Sequence, residues 1–113
     1  MNDAKIDLPA ILLNHALWLE GNGGCRADFS WADLRRADLI GAILTEANLT
    51  WANLRQANLT ETNLRQANLR RAILTGADLR CADLTEAILS EAILTEAILS
   101  EANLRRANQG DAE

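Results

Sequence analysis

The chain has very few cysteines and histidines, the residues on which most transition-metal and redox sites depend. Cys25 and Cys81 stand alone, and their separation matches no metal-binding or redox motif. His15 is the only histidine. Isolated cysteines are typical of free thiols in a reducing compartment, so we expect a cytoplasmic protein without a metal or cofactor.

Long apolar runs are also absent, and acidic residues outnumber basic ones by sixteen to eleven. The formal net charge at pH 7 is −5. A general nucleic-acid-binding protein carries a basic face, so we expect no direct binding of nucleic acid. No apolar run approaches the ~20 residues that a membrane span needs, which argues against a membrane protein. The first segment contains Asp3, Asp7 and Pro9 but only one lysine, so it does not resemble a secretory signal peptide.

The groups of a catalytic centre are missing too. His15 has no nucleophile or metal partner near it in sequence, and no Gly-rich phosphate loop or Ser/His/Asp set is present. We therefore predict no catalytic, cofactor-binding or metal-binding residues and a protein that is not an enzyme. His15 is interpreted as a packing or capping residue, with a catalytic base as the alternative.

What the sequence does have is a five-residue repeat. Residues 27–106 form sixteen blocks of one pattern: a small residue, then Asp, Asn or Ile, then Leu, then usually Ser, Thr or Arg, then a variable residue. Alanine holds the first place in fifteen blocks, with Thr62 as the exception, and leucine holds the third place in fifteen, with Phe29 as the exception. Such self-similarity is the signature of a repeat architecture.

A period of five fits neither a helix nor a flat strand. Five residues turn an α-helix about 140° past a full circle, so the leucines would spiral around it. In a strand, a five-residue step would place successive leucines on opposite faces. A chain that turns one corner in each block directs every Ala and Leu inward, and four such sides close a coil of twenty residues.

Blocks such as ADLRR at residues 32–36 and ANLRQ at residues 52–56 resemble the A(D/N)LXX motif of pentapeptide-repeat proteins. The resemblance implies an all-β solenoid, a right-handed quadrilateral β-helix, of about four coils. The domain boundaries predicted from it are an N-terminal helical cap with a Gly-rich turn at 1–26, the β-helix at 27–106 and a short tail at 107–113.

The predicted cap is an amphipathic helix that starts at Asp7 as N-cap and stops at Gly21. Its apolar positions fall on one helical face, which we expect to lie across the open end of the first coil. They are Leu8, Ile11, Leu12, His15 and Leu19. The segment HALWLEG at residues 15–21 is similar to leaders of some bacterial pentapeptide-repeat proteins.

Stacking at a period of twenty sorts the outward side chains into columns. Trp31 and Trp51 fall in one column with Arg71 and Glu91, and this aromatic ladder is a candidate interface or an ordinary surface ladder. Ile88, Ile93 and Ile98 replace Asp or Asn in the last coil, with glutamates between them, and form the second candidate interface. The alternative is that isoleucine is simply tolerated there.

A third column contains Arg35, Arg55, Thr75 and Thr95, with Arg36 beside it. We interpret it as a solvated mixed-charge face, because aspartates lie close to it in sequence. Contact with a phosphate or with an acidic partner is the alternative.

Function is predicted as a non-enzymatic scaffold or protein–protein interaction module with an unknown protein partner. A two-fold homodimer through the uncapped C-terminal coil is a further prediction. The alternative function is mimicry of DNA, since some pentapeptide-repeat proteins protect DNA gyrase by presenting an acidic rod. Residues 27–106 carry nine Arg and eleven Asp or Glu, far from the net charge on the order of −11 that a DNA-like rod of this length needs.

Overall fold

The computed structural model describes residues 6–113, which form a helix followed by a four-sided coil. Helix α1 spans Leu8–Leu19. Asp7 caps its N-terminus, since its Oδ1 accepts a hydrogen bond from the amide of Ala10 at 3.2 Å. Pro9 lies in the first turn, where its missing amide proton costs nothing. The predicted helix start is confirmed, and the first five residues of the predicted cap lie outside the described part.

Backbone pairing between residues twenty positions apart builds the coil. Parallel pairs run from Asp28 with Asn48 to Ile88 with Asn108. Each side contributes one paired residue, the second of its block, so the sides are isolated bridges rather than extended strands. We number the coils 1 to 4 (residues 27–46, 47–66, 67–86 and 87–106), and the blocks within each coil form sides 1 to 4 in chain order.

The first and third residues of each block fill the interior. The third residues are fully buried from Phe29 to Leu89, and the alanines from Ala47 to Ala92 are buried between them. Thr62, the exception among the alanines, donates its hydroxyl proton to the carbonyl of Leu39 at 2.7 Å. The core is therefore a closed column of apolar side chains, in which each buried leucine contributes about 1.5–3 kcal/mol by leaving water.

Every corner of the coil is a four-residue turn whose third residue has the left-handed conformation. In the first block, Ala32 donates its amide proton to the carbonyl of Phe29 at 3.0 Å, and Trp31 between them has φ of +64°. The fifth residue of all sixteen blocks has a positive φ, and fourteen of these residues are not glycine. This conformation points the fifth side chain away from the core, so the fifth residues form columns along the four corners.

The second residue of a block caps the amide of the fourth. The side-chain oxygen of Asn58 accepts from the amide of Thr60 at 3.1 Å and from its hydroxyl at 2.6 Å. The same bond to the fourth amide is made in the blocks that have Asp or Asn at the second place, such as Asp28 and Asn103. Isoleucine offers no such oxygen, and in all five Ile blocks the fourth residue is Ser or Thr.

The helix closes the N-terminal end of the coil, as the sequence predicts. Leu8, Ile11 and Leu12 pack against the buried core. The fully buried imidazole of His15 joins helix and coil, because its Nδ1 accepts from the amide of Ala27 at 2.9 Å and its Nε2 bonds the carbonyl of Thr45 at 2.8 Å. In later coils such backbone groups pair with the coil before. Coil 1 is preceded by α1 instead, so the imidazole satisfies them.

Gly24 makes the tight return from helix to coil. A Cβ at this position would lie 2.2 Å from the carbonyl oxygen of Asn14 and 2.8 Å from the Cβ of Leu17, and its φ is +73°. Both facts restrict the position to glycine.

The C-terminal end of the coil has no helix over it within the described residues. Pairing continues past Arg106, since Asn108 pairs with Ile88 and the backbone of Glu113 bonds that of Ala92 and Leu94. Gln109 stands where a leucine would be. The last three leucines of the repeat are only half-buried, so the core opens to solvent at this end; they are Leu94, Leu99 and Leu104. The proposed boundary at residue 107 stays a prediction.

Candidate interaction surfaces

The two tryptophans of the repeat lie face to face on the corner between sides 1 and 2. Trp31 and Trp51 have ring centroids 4.6 Å apart and an interplanar angle of 6°. The guanidinium of Arg71 lies 4.8 Å from the Trp51 ring centroid, and its Nε donates to Glu91 at 2.6 Å. The predicted column is thus a continuous ladder of two rings, a cation and an anion.

This ladder leaves much apolar surface in water. Trp31 is 69% exposed and Trp51 is 41% exposed. Large aromatic side chains of this kind dominate protein interfaces, since they bury much area at low cost in conformational entropy.

The ladder and one of the predicted isoleucines line the same groove. Ile73 and Ile93 pair with each other on side 2, next to the tryptophan corner. Together with Trp51, Arg71 and Glu91 they line a groove of about 350 Å³, whose lower end is closed by Asp111 and Glu113. The two surfaces that the sequence offered separately therefore meet at this corner.

The other two isoleucines of the last coil lie elsewhere. Ile88 is on side 1 and half-buried, and Ile98 is on side 3 and 45% exposed. Because second-place residues of successive blocks point from successive sides, the three isoleucines form a belt around the coil rather than one patch. Ile73 belongs to the groove and was not a predicted interface residue, although the period of twenty places it directly beneath Ile93.

A second and larger hollow, about 700 Å³, lies on side 2 and at the corner that follows it. The gap exists because Gly76 provides no side chain at the fifth place of coil 3. The lining residues are Asp33, Arg35, Arg36, Arg55, Gln56, Thr75, Gly76 and Glu96.

The arginines of this hollow differ in how they are paired. Arg35 donates twice to the carboxylate of Asp33, both at 2.8 Å, and these bonds hold the pKa of Asp33 at about 2. Arg36 donates from Nε to Gln56 at 3.1 Å. Within residues 6–113 the guanidinium of Arg55 makes no hydrogen bond or ion pair, and Arg36 makes no ion pair.

Metal-binding and nucleophilic side chains also occur among the described residues. No group of three or more His, Cys, Asp or Glu residues that could hold a metal is present in the described part of the chain. The thiol of Cys81 donates to Glu101 at 3.4 Å, which raises the pKa of the thiol and makes it a poorer nucleophile. Among residues 6–113, no helix has the length and apolar character of a membrane span.

The geometry defines a solenoid that repeats every five residues and closes every twenty, with an interior filled by its own side chains. The model of the family described as pentapeptide repeats matches it in eight copies, at residues 26–60, 52–90 and 82–108. The chain belongs to the pentapeptide-repeat family. Its fold is the right-handed quadrilateral β-helix, with an N-terminal helix.

Two solved structures from the cyanobacterium Nostoc sp. PCC 7120 are similar to the chain. HetL, a pentapeptide repeat protein involved in heterocyst differentiation regulation, is 35% identical with a TM-score of 0.64; the match covers 79% of this chain but only 49% of HetL. The pentapeptide repeat protein alr5209 is 33% identical with a TM-score of 0.60, over 89% of this chain and 84% of its own length. No curated protein matches the chain in sequence.

Proposed function

We propose that the protein is a non-enzymatic, cytoplasmic interaction module that binds a protein partner through the groove at the tryptophan corner. The observation that carries this proposal is the convergence of Trp51, Ile73 and Ile93 on one surface. The helical cap at residues 1–26 and the coil at 27–106 act as the rigid support of that surface.

The chemistry of the groove indicates what kind of segment it fits. Its walls are aromatic and aliphatic, and its ionised groups are Arg71, Glu91, Asp111 and Glu113, which leave an excess of negative charge. Arg71 is already paired with Glu91 at 2.6 Å. An extended partner segment with an apolar side chain beside lysine or arginine complements both features.

A matched pair of variants tests the groove. Ile93→Asn and Ile43→Asn each replace an exposed second-place isoleucine, 37% and 53% exposed, by a residue that stands at the second place of other blocks. Only Ile93 lies in the groove. Partners captured from host extract by the wild-type protein and by Ile43→Asn should be lost from Ile93→Asn, and equal capture by all three proteins would refute the groove.

A second candidate is the tail-to-tail homodimer. The observation in its favour is the C-terminal end of the described coil, where Leu94, Leu99 and Leu104 are partly exposed. The belt of Ile88, Ile93 and Ile98 surrounds this end. At this end the guanidinium of Arg106 lies 3.8 Å from the carboxylate of Glu86 of its own chain.

Mimicry of DNA is a poorer proposal for this surface. Acidic side chains are neutralised along the coil by arginines of the same chain, as in the pairs of Arg65 with Asp83 at 3.3 Å and Arg80 with Asp78 at 2.6 Å. A DNA-like surface needs rows of unpaired negative charge. Inhibition of gyrase supercoiling by the purified protein would revive it.

A further inference from the structure

The hollow on side 2 contains hydrogen-bond donors for which residues 6–113 provide no acceptor. The second-place residue of the block that contains Thr75 is Ile73, which has no side-chain oxygen. Neither the amide nor the hydroxyl of Thr75 therefore finds an acceptor like the one that Asn58 gives to Thr60. Among the described residues, no hydrogen bond is made by either donor of Thr75. Thr75 is one of the residues that line the hollow.

Two guanidinium groups, those of Arg36 and Arg55, line the same hollow as Thr75. Arg55 is directly above Thr75 in the fourth-place column, one coil spacing of about 4.8 Å away. Arg36 is at the neighbouring corner, with its outer nitrogens free of any acidic partner in the described structure. Gly76 keeps the space beneath them open, since a side chain there would fill it.

We propose that this hollow binds a phosphate monoester group between Arg36 and Arg55, with Thr75 as a third donor. A phosphate dianion offers several oxygens at once, and arginine forks match them in paired hydrogen bonds. One phosphate oxygen would give Thr75 the acceptor that Asn or Asp provides at the second place of other blocks. This site is independent of the groove at the tryptophan corner, so either can fail without the other.

Charge selects a single phosphate group rather than a nucleic-acid backbone. Three arginines against Asp33 and Glu96 leave the hollow with one net positive charge, in a chain of net charge −5. A polyanion would meet repulsion outside the hollow, whereas one phosphate group would not. Glu96 at the lower edge opposes any anion, so its charge limits the affinity.

The site can be tested by nuclear magnetic resonance on the whole protein at constant ionic strength. The probes are inorganic phosphate, a phosphoserine peptide, its unphosphorylated counterpart and a short DNA duplex. We expect saturable shifts of the Thr75 and Gly76 amides with the first two probes. Thr45 also belongs to a block with isoleucine at its second place, but it lies on another side of the coil. The chemical shift of its amide should not change.

Matched variants separate a specific site from general attraction to arginine. Arg55→Thr and Arg70→Thr both remove a fourth-place arginine from a block with asparagine at its second place. Threonine is common at the fourth place. Arg55→Thr should weaken phosphate binding about tenfold or more, since it removes charge-assisted hydrogen bonds, while Arg70→Thr should not. Glu96→Gln should tighten binding, and Ile73→Asn should weaken it by giving Thr75 an acceptor within the chain.

The outcomes distinguish the sources of the phosphate. Tighter binding of the phosphoserine peptide than of inorganic phosphate indicates a modified protein segment, and the reverse order indicates a small phosphorylated molecule. Linear, unsaturated shifts, equal losses in the Arg55 and Arg70 variants, or preferential binding of the duplex would each overturn the proposal.

Discussion

A single imidazole satisfies two backbone groups at the end of the coil. Since Nδ1 of His15 accepts from the Ala27 amide, Nε2 carries the proton and donates to the Thr45 carbonyl. Protonation of Nδ1 would break the first bond and place a charge in a fully buried position. Burial accordingly lowers the pKa of His15 below its ordinary value, with a smaller lowering from Arg26.

Stability should therefore fall on mild acidification. Below the ordinary pKa of 6.5, His15 becomes protonated in the unfolded chain but stays neutral in the folded protein, because its pKa is lowered there. The free energy of unfolding should be constant above this pH and should decrease below it, by up to about 1.4 kcal/mol per pH unit. Chemical denaturation between pH 5.5 and 7.5 measures this, and His15→Gln should remove the slope. A flat profile in the wild-type protein would contradict the buried neutral imidazole.

The second-place oxygen makes a separate contribution at each block. Asn58→Ala removes the acceptor of both the amide and the hydroxyl of half-buried Thr60, and should destabilise the fold by about 1–2 kcal/mol. Asn68→Ala removes only the bond from the Arg70 amide at 3.1 Å, so its cost should be about half. Thermal unfolding of the two variants checks the ratio, and equal costs would show that the hydroxyl bond contributes nothing.

At the scale of elements, the period of the sequence determines most of the structure. A five-residue repeat with alanine and leucine inward predicts the corners, the twenty-residue coil and the columns, and all three are present. The cap was also predictable, because Asp7, Pro9 and the apolar spacing are local signals. Its attachment through His15 was not, since the bonds to Ala27 and Thr45 join positions 12 and 30 residues away.

The interaction surfaces were predictable only in part. Columns follow from the period, so the Trp31–Trp51 stack and the arginine column could be listed from the sequence. The groove depends on which second-place residue lies beside which corner, and the hollow depends on a glycine and on a missing acceptor at Thr75. These are properties of neighbouring coils together, which a single block does not reveal.

Removal of the cap tests its role as an element. Deletion of residues 1–20 would expose the first ring of the core, which includes Phe29 and Leu34, and would leave the Ala27 amide and the Thr45 carbonyl without His15. We expect a lower melting temperature and concentration-dependent aggregation through the exposed coil edge. Differential scanning calorimetry and light scattering report both. A truncated protein that stays monomeric with an unchanged melting temperature would show that the helix does not stabilise the coil.

For the whole molecule, the two ends of the solenoid are unequal. One end is covered by α1, whereas at the other end of the described residues the core finishes in partly exposed leucines. Stability in a solenoid comes from contacts between neighbouring coils, so the partly exposed leucines at this end are a surface on which a further contact can form. A second copy supplies them if two C-terminal ends meet across a two-fold axis.

This association should depend on Leu99 and not on equally apolar surface at the covered end. Leu99→Lys places a charge in the middle of the open end, where it would be buried without a partner in the dimer. Leu13→Lys changes an exposed leucine on α1 and serves as the control. In sedimentation at micromolar concentrations we expect a concentration-dependent dimer for the wild-type protein and Leu13→Lys, and a monomer for Leu99→Lys. A wild-type protein that is monomeric at all concentrations excludes the dimer. A dimer that persists in Leu99→Lys places the interface at the exposed Trp31–Trp51 ladder instead, and Trp31→Ala should then disrupt it.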